Sequence, residues 1–137
     1  MKLSSISIAS AIIVGLAAAA WQLLPTTQIT DVVSGDDPLV LPTLSGIAVR
    51  GQMLFDANCA SCHGPYGTGT DKGPPLVHKI YEPSHHADFA FHRAVQHGVR
   101  AHHWRFGDMP AVPGVSEAEV TSIIAFVRAM QTANGIN

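Results

Sequence analysis

A chain of 137 residues has room for one compact domain and little else. Only 13% of its residues are charged and the formal net charge is −2, so there is no basic stripe to hold nucleic acid and no acidic tail. Two cysteines are too few for a disulfide framework.

The chain opens on an apolar element. Lys2 supplies a short positive start, an apolar run extends from Ile6 to Ala20, and its last four alanines offer small residues for cleavage. Apolar character continues through Trp21, Leu23 and Leu24, which makes residues 6–24 a run of 19 positions. That is close to the minimum span of a membrane helix, and Trp21 suits a membrane–water interface. Residues 1–24 therefore read as a signal peptide or an uncleaved membrane anchor. Either way, the chain beyond Pro25 is expected on the periplasmic side, soluble after cleavage or held to the inner membrane by residues 6–24. Residues 25–44 carry three prolines, a Ser-Gly-Asp-Asp cluster and no period, which suggests a linker.

The domain proper is expected over 45–137. Ser45 to Asn58 has the spacing of a helix, with Ile47, Gly51, Leu54 and Phe55 on one side. Gly51 within that face costs about 1 kcal/mol against alanine, so a packing reason is expected for it. Residues 64–84 are rich in glycine and proline and read as a loop. Asp88 to Gly98 reads as a second helix, with Phe91, Ala94 and Val95 on its apolar side and Gly98 as its stop. Residues 99–115 are irregular. Ser116 and Glu119 form a capping box. Val120, Ile123, Ile124, Val127 and Met130 then mark one helical face, flanked by Phe126 and ended by Asn134-Gly135. No segment alternates as a strand would, so the fold class is all-α, with three to four short helices. Their core is small for two long loops, and a large buried cofactor would supply the missing apolar mass.

Cys59-Ala60-Ser61-Cys62-His63 decides the chemistry. Cys-x-x-Cys-His is the attachment signature of c-type haem. Two thiols one helical turn apart can reach the two vinyl groups of one porphyrin, and the next residue's imidazole can ligate the iron. Two other readings fit less well. A thioredoxin-like redox pair wants a preceding strand and a βαβ context, which the chain lacks. A zinc site would need Cys62 and His63, adjacent in sequence, to aim at one ion.

The residues from 45 to 134 resemble a class I c-type cytochrome, a monohaem family found exported in bacteria. Gly51 and Phe55 match its N-terminal helix, in which the glycine lets a C-terminal helix cross closely. Ile123 and Phe126 match the partners on that helix, and Gly73-Pro74-Pro75-Leu76 is similar to the family's Gly-Pro-x-Leu. The resemblance implies helices wrapped around one covalently bound haem c. It implies Cys59 and Cys62 as the thioether residues and His63 as an axial iron ligand. Pro74 would offer its carbonyl to the His63 imidazole. Met109, in Met109-Pro110, matches the family's second axial ligand.

Most of the eight histidines lie between His78 and His103, and they are the rivals of Met109. His85, His86, His102 and His103 form pairs that could also hold a second metal, or serve only as polar surface. Met53 and Met130 sit at core spacing and read as packing. Arg100 or Arg105 could pair with a haem propionate.

The resemblance implies a non-enzymatic carrier of single electrons between periplasmic or membrane-bound redox partners of a respiratory or dehydrogenase chain, without nucleic acid. The N-terminus would supply any membrane association. Two alternatives remain open. One is a haem enzyme or a gas or redox sensor with a labile sixth ligand. The other is a cytochrome subunit of a larger dehydrogenase or oxidase complex.

Overall fold

The computed structural model describes residues 38–137. The expected signal or anchor at 1–24 and most of the linker lie outside the described residues. Among the described residues no helix is long and apolar enough to cross a membrane.

The described chain is all-α. Four α-helices run in order: α1 (Ile47–Asn58), α2 (Ala60–His63), α3 (Asp88–His97) and α4 (Glu117–Ala133). Short 3₁₀ turns at Pro65–Gly67 and Lys79–Tyr81 punctuate the loop between α2 and α3. The nearest thing to a sheet among the described residues is one isolated antiparallel bridge between Val99 and Met109.

Helix α4 starts at the expected capping box. The Ser116 side chain accepts from the Glu119 backbone N–H, and the Glu119 carboxylate accepts from the Ser116 N–H at 2.9 Å. This reciprocal cap satisfies two donors that a helix start leaves unpaired. The same two residues' bonding holds the Glu119 carboxyl below its ordinary pKa.

Helices α1 and α4 form the main interface. The buried side of α1 is Ala48, Gly51 and Phe55, one to two turns apart. Ile47 is not part of it and stands 57% exposed, so the face is rotated by about one residue from the expected one. Met53 is likewise no core residue, being 63% exposed, whereas Met130 is buried as its spacing suggests. A short amphipathic helix fixes its face only loosely by pattern, and the Gly51 crossing decides the rotation here. Phe126 is more than a flank to the α4 stripe. It is fully buried, and its ring lies 5.3 Å from that of Phe55, tilted by 52°.

A polar hub fastens the loops to this pair. Gln131, fully buried, donates from Nε2 to the carbonyls of Leu76 at 2.8 Å and Tyr81 at 3.0 Å. Its Oε1 accepts from Arg128, whose guanidinium also donates to the Tyr81 and His86 carbonyls and pairs with Asp88 at 2.9 Å. One turn of α4 thereby carries the 76–86 loop. Gln131→Leu keeps the volume but strands the Leu76 carbonyl and one Arg128 donor. A loss of about 2–4 kcal/mol is expected in urea unfolding, against a near-neutral Thr132→Ala control on the exposed side.

Residues 38–44 do not hang free of the domain. Val40 exchanges two hydrogen bonds with the Asn134 side chain, at 2.8 and 2.9 Å, and Leu39 and Leu44 pack against the core.

Candidate functional site

Cys59 ends α1 as its C-cap, and α2 begins at once, carrying Cys62 and His63. The backbone turns tightly there, with both Cys62 and His63 donating to the Cys59 carbonyl, at 3.1 and 2.9 Å. No disulfide joins the two cysteines. Cys59 is half-buried, and burial, aided by the neighbouring Cys62, pushes its pKa up to about 11, so it is a neutral thiol. Cys62 is exposed.

The His63 ring is set by the loop after it. Its Nδ1 lies 2.9 Å from the Pro74 carbonyl. A carbonyl can only accept, so Nδ1 carries the proton and Nε2 keeps its lone pair. Burial lowers the His63 pKa, partly offset by the Pro74 bond. The imidazole is therefore neutral near pH 7, the form a metal requires.

Met109 is positioned from the other side. Val99 and Met109 exchange backbone hydrogen bonds of 2.9 Å in both directions, and the Ala101 N–H reaches the Asp108 carboxylate at 2.8 Å. Gly98 makes this closure feasible. It ends α3 with φ +73°, and a Cβ there would strike the Met109 carbonyl.

These elements enclose a cavity of about 560 Å³. Its walls bring together Cys59, His63, Pro74 and Met109, which span fifty residues of sequence. Cys62 is not among the wall residues. Leu76, Phe91, Val95 and Ile123 supply apolar lining. Helix α3 has no fully buried residue, and its apolar side faces this space. Arg100 also reaches the wall, but Arg105 does not.

Spacing alone does not single out Trp104. Its ring lines the cavity, and its Nε1 is the one buried side-chain nitrogen or oxygen among the described residues without a hydrogen-bond partner. Burial raises the pKa of the Tyr81 hydroxyl, which is near enough for the indole N–H to offset part of that rise, so that hydroxyl and a ligand carboxylate are the acceptors open to this buried donor. A tryptophan in an irregular histidine-rich loop is the only hint that the sequence offers. Tyr81 is a second wall residue that the pattern does not reveal.

The family model described as Cytochrome c matches residues 48–131, more than half of the chain. No solved structure matches the chain. The cofactor of that family is haem c, and the residues present fit one. The cavity is large and mostly apolar, and a thiol, a neutral imidazole and a thioether stand on its walls. The unpaired Trp104 N–H suits one of the carboxylates that such a macrocycle carries.

Proposed function

The chain belongs to the cytochrome c family, and from that membership we propose that it is a closed, single-haem carrier of electrons between redox partner proteins of a respiratory or dehydrogenase chain on the periplasmic side. The observation that carries the proposal is the convergence of Cys59, His63 and Met109 on one apolar cavity.

Each residue has a distinct task. Cys59 and Cys62 would hold the macrocycle by thioether bonds. His63 offers Nε2 to the iron, oriented by its Nδ1–H bond to Pro74, which also raises its basicity. Met109 would offer its sulfur as a second iron ligand, its backbone held by the Val99 bridge. When bound, the haem supplies a one-electron couple, and a His/Met ligand pair raises its potential. Leu76, Phe91 and Ile123 keep water from the cavity. With His63 and Met109 both given to the iron, no small substrate would have a place at the metal, which is why a carrier is favoured over an enzyme or sensor. Docking with redox partners would use a small and weak interface. An N-terminal anchor, if uncleaved, would raise the local concentration of the carrier at membrane complexes.

The test is the visible spectrum of protein matured with haem, oxidised and reduced, with and without carbon monoxide. A low-spin reduced spectrum unchanged by carbon monoxide is expected, with a methionine–iron charge-transfer band when oxidised. Ready carbon monoxide binding would overturn the closed carrier in favour of a sensor or enzyme. Absence of covalent haem would overturn the attachment by Cys59 and Cys62.

A further inference from the structure

A second set of chemistry-bearing side chains lies at the rim of the cavity and takes no part in haem attachment or axial ligation. His85 and His86 come from the turn after the Lys79–Tyr81 3₁₀ helix, and His102 and His103 from the loop that leads to Met109. Their four rings gather with centroids 4.3 to 6.1 Å apart. From this arrangement we propose that His85, His86 and His103 form a binding site for one divalent transition-metal ion, of the zinc(II) class.

Three observations support the site. The first is spacing. His85 Nε2 and His103 Nε2 are 3.3 Å apart, and one nitrogen of each of the three histidines lies within 4.8 Å of the others. Two imidazoles on one tetrahedral ion, with metal–nitrogen bonds of about 2.0–2.1 Å, must have nitrogens roughly 3.3 Å apart. The second is tautomer. The Nδ1–H of His86 is given to the Ile80 carbonyl at 2.6 Å, which leaves Nε2 as the free lone pair. His102 beside it is fixed in the same sense, its Nδ1–H donating to the Arg100 carbonyl at 2.8 Å. Backbone carbonyls that orient the far nitrogen are the usual support of a metal-ligating histidine. The third is anchoring. Arg128 donates to the His86 carbonyl and pairs with Asp88, so the turn is held to α4.

Soft thiolates and hard carboxylates are absent from the set. Three imidazoles suit zinc, copper or nickel rather than calcium or magnesium. The fourth position opens to solvent, because His85 and His103 are both exposed. The alternative explanation of the 3.3 Å approach is one N–H···N bond between two neutral rings. That bond would leave His86 unneeded and would bind no ion.

Such an ion has a structural consequence. His103 belongs to the loop that carries Met109, whereas His85 and His86 belong to the turn fastened to α4. One ion would tie these two segments together across the cavity rim.

The test is calorimetric titration of zinc chloride into the untagged full chain as purified, stripped of metals with a chelator. One saturable equivalent is expected, together with a zinc-dependent rise in Tm. His103→Ala and His85→Ala should each weaken binding by at least about tenfold and abolish the rise in Tm. His97→Gln, on the exposed end of α3, should leave both unchanged. Both ligand positions are exposed, so folding is not at stake in these variants. Unsaturable or multiple-site binding, or equal affinity in the His103→Ala and His85→Ala chains, would overturn the proposal and leave a hydrogen-bonded histidine pair.

Discussion

Met109→Ala is expected to bind carbon monoxide in the reduced state, where the parent does not, and to lose potential on the order of tenths of a volt. No other sulfur among the described methionines can replace it. Met53 points to solvent from α1 and Met130 is packed in the core by α4, and neither lines the cavity. The backbone around residue 109 should persist, since the Val99 bridge uses main-chain atoms alone. The variant therefore removes a ligand without removing its loop. A fall in potential with no carbon monoxide binding would mean that His102 or His103, also at the cavity, had taken the vacated side. An unchanged spectrum and potential would show that Met109 never held the position.

Gly51→Ala is expected to destabilise the domain, although alanine is the better helix former. By propensity alone the change would gain about 1 kcal/mol. The added Cβ, however, would collide with the Ser122 carbonyl of α4 and press on Phe126 Cβ at 3.0 Å. A flexible side chain could swing aside, but a helix backbone cannot. Overpacking of this kind costs about 1–3 kcal/mol and more where the obstacle is rigid. The net loss should be about 2 kcal/mol, or a fall in Tm on the order of 10 °C for a domain this small. Thermal unfolding at matched haem content measures it. A rise in Tm would refute the close crossing of α1 and α4.

Gly51 also shows how far the sequence can be read. A glycine inside an otherwise good helix signals a close neighbour, and the structure supplies it. The cap at Ser116 and Glu119 and the face from Val120 to Met130 are legible because both depend on local spacing. So is the stop at Gly98. The rotation of α1 is not, because Ile47 and Ala48 are both apolar and only the crossing chooses between them. The Arg128–Gln131 hub is invisible for another reason. Its partners are backbone carbonyls at Leu76, Tyr81 and His86, which leave no mark on side-chain pattern. At the site, Cys59 and His63 announce themselves by motif. Trp104 and Tyr81 do not, since one aromatic in a loop looks like any other until the cavity is closed around it.

The pairing of α1 with α4 has a consequence for how the chain is made. Phe55 and the notch at Gly51 are synthesised early, but their partners Ser122 and Phe126 come more than sixty residues later. Closing so long a loop brings no packing reward until residues 117–133 are present. While the chain is still growing, α1 is a lone twelve-residue helix, too short to persist in water. Compaction of the segment that carries Cys59 and Cys62 therefore awaits the last helix.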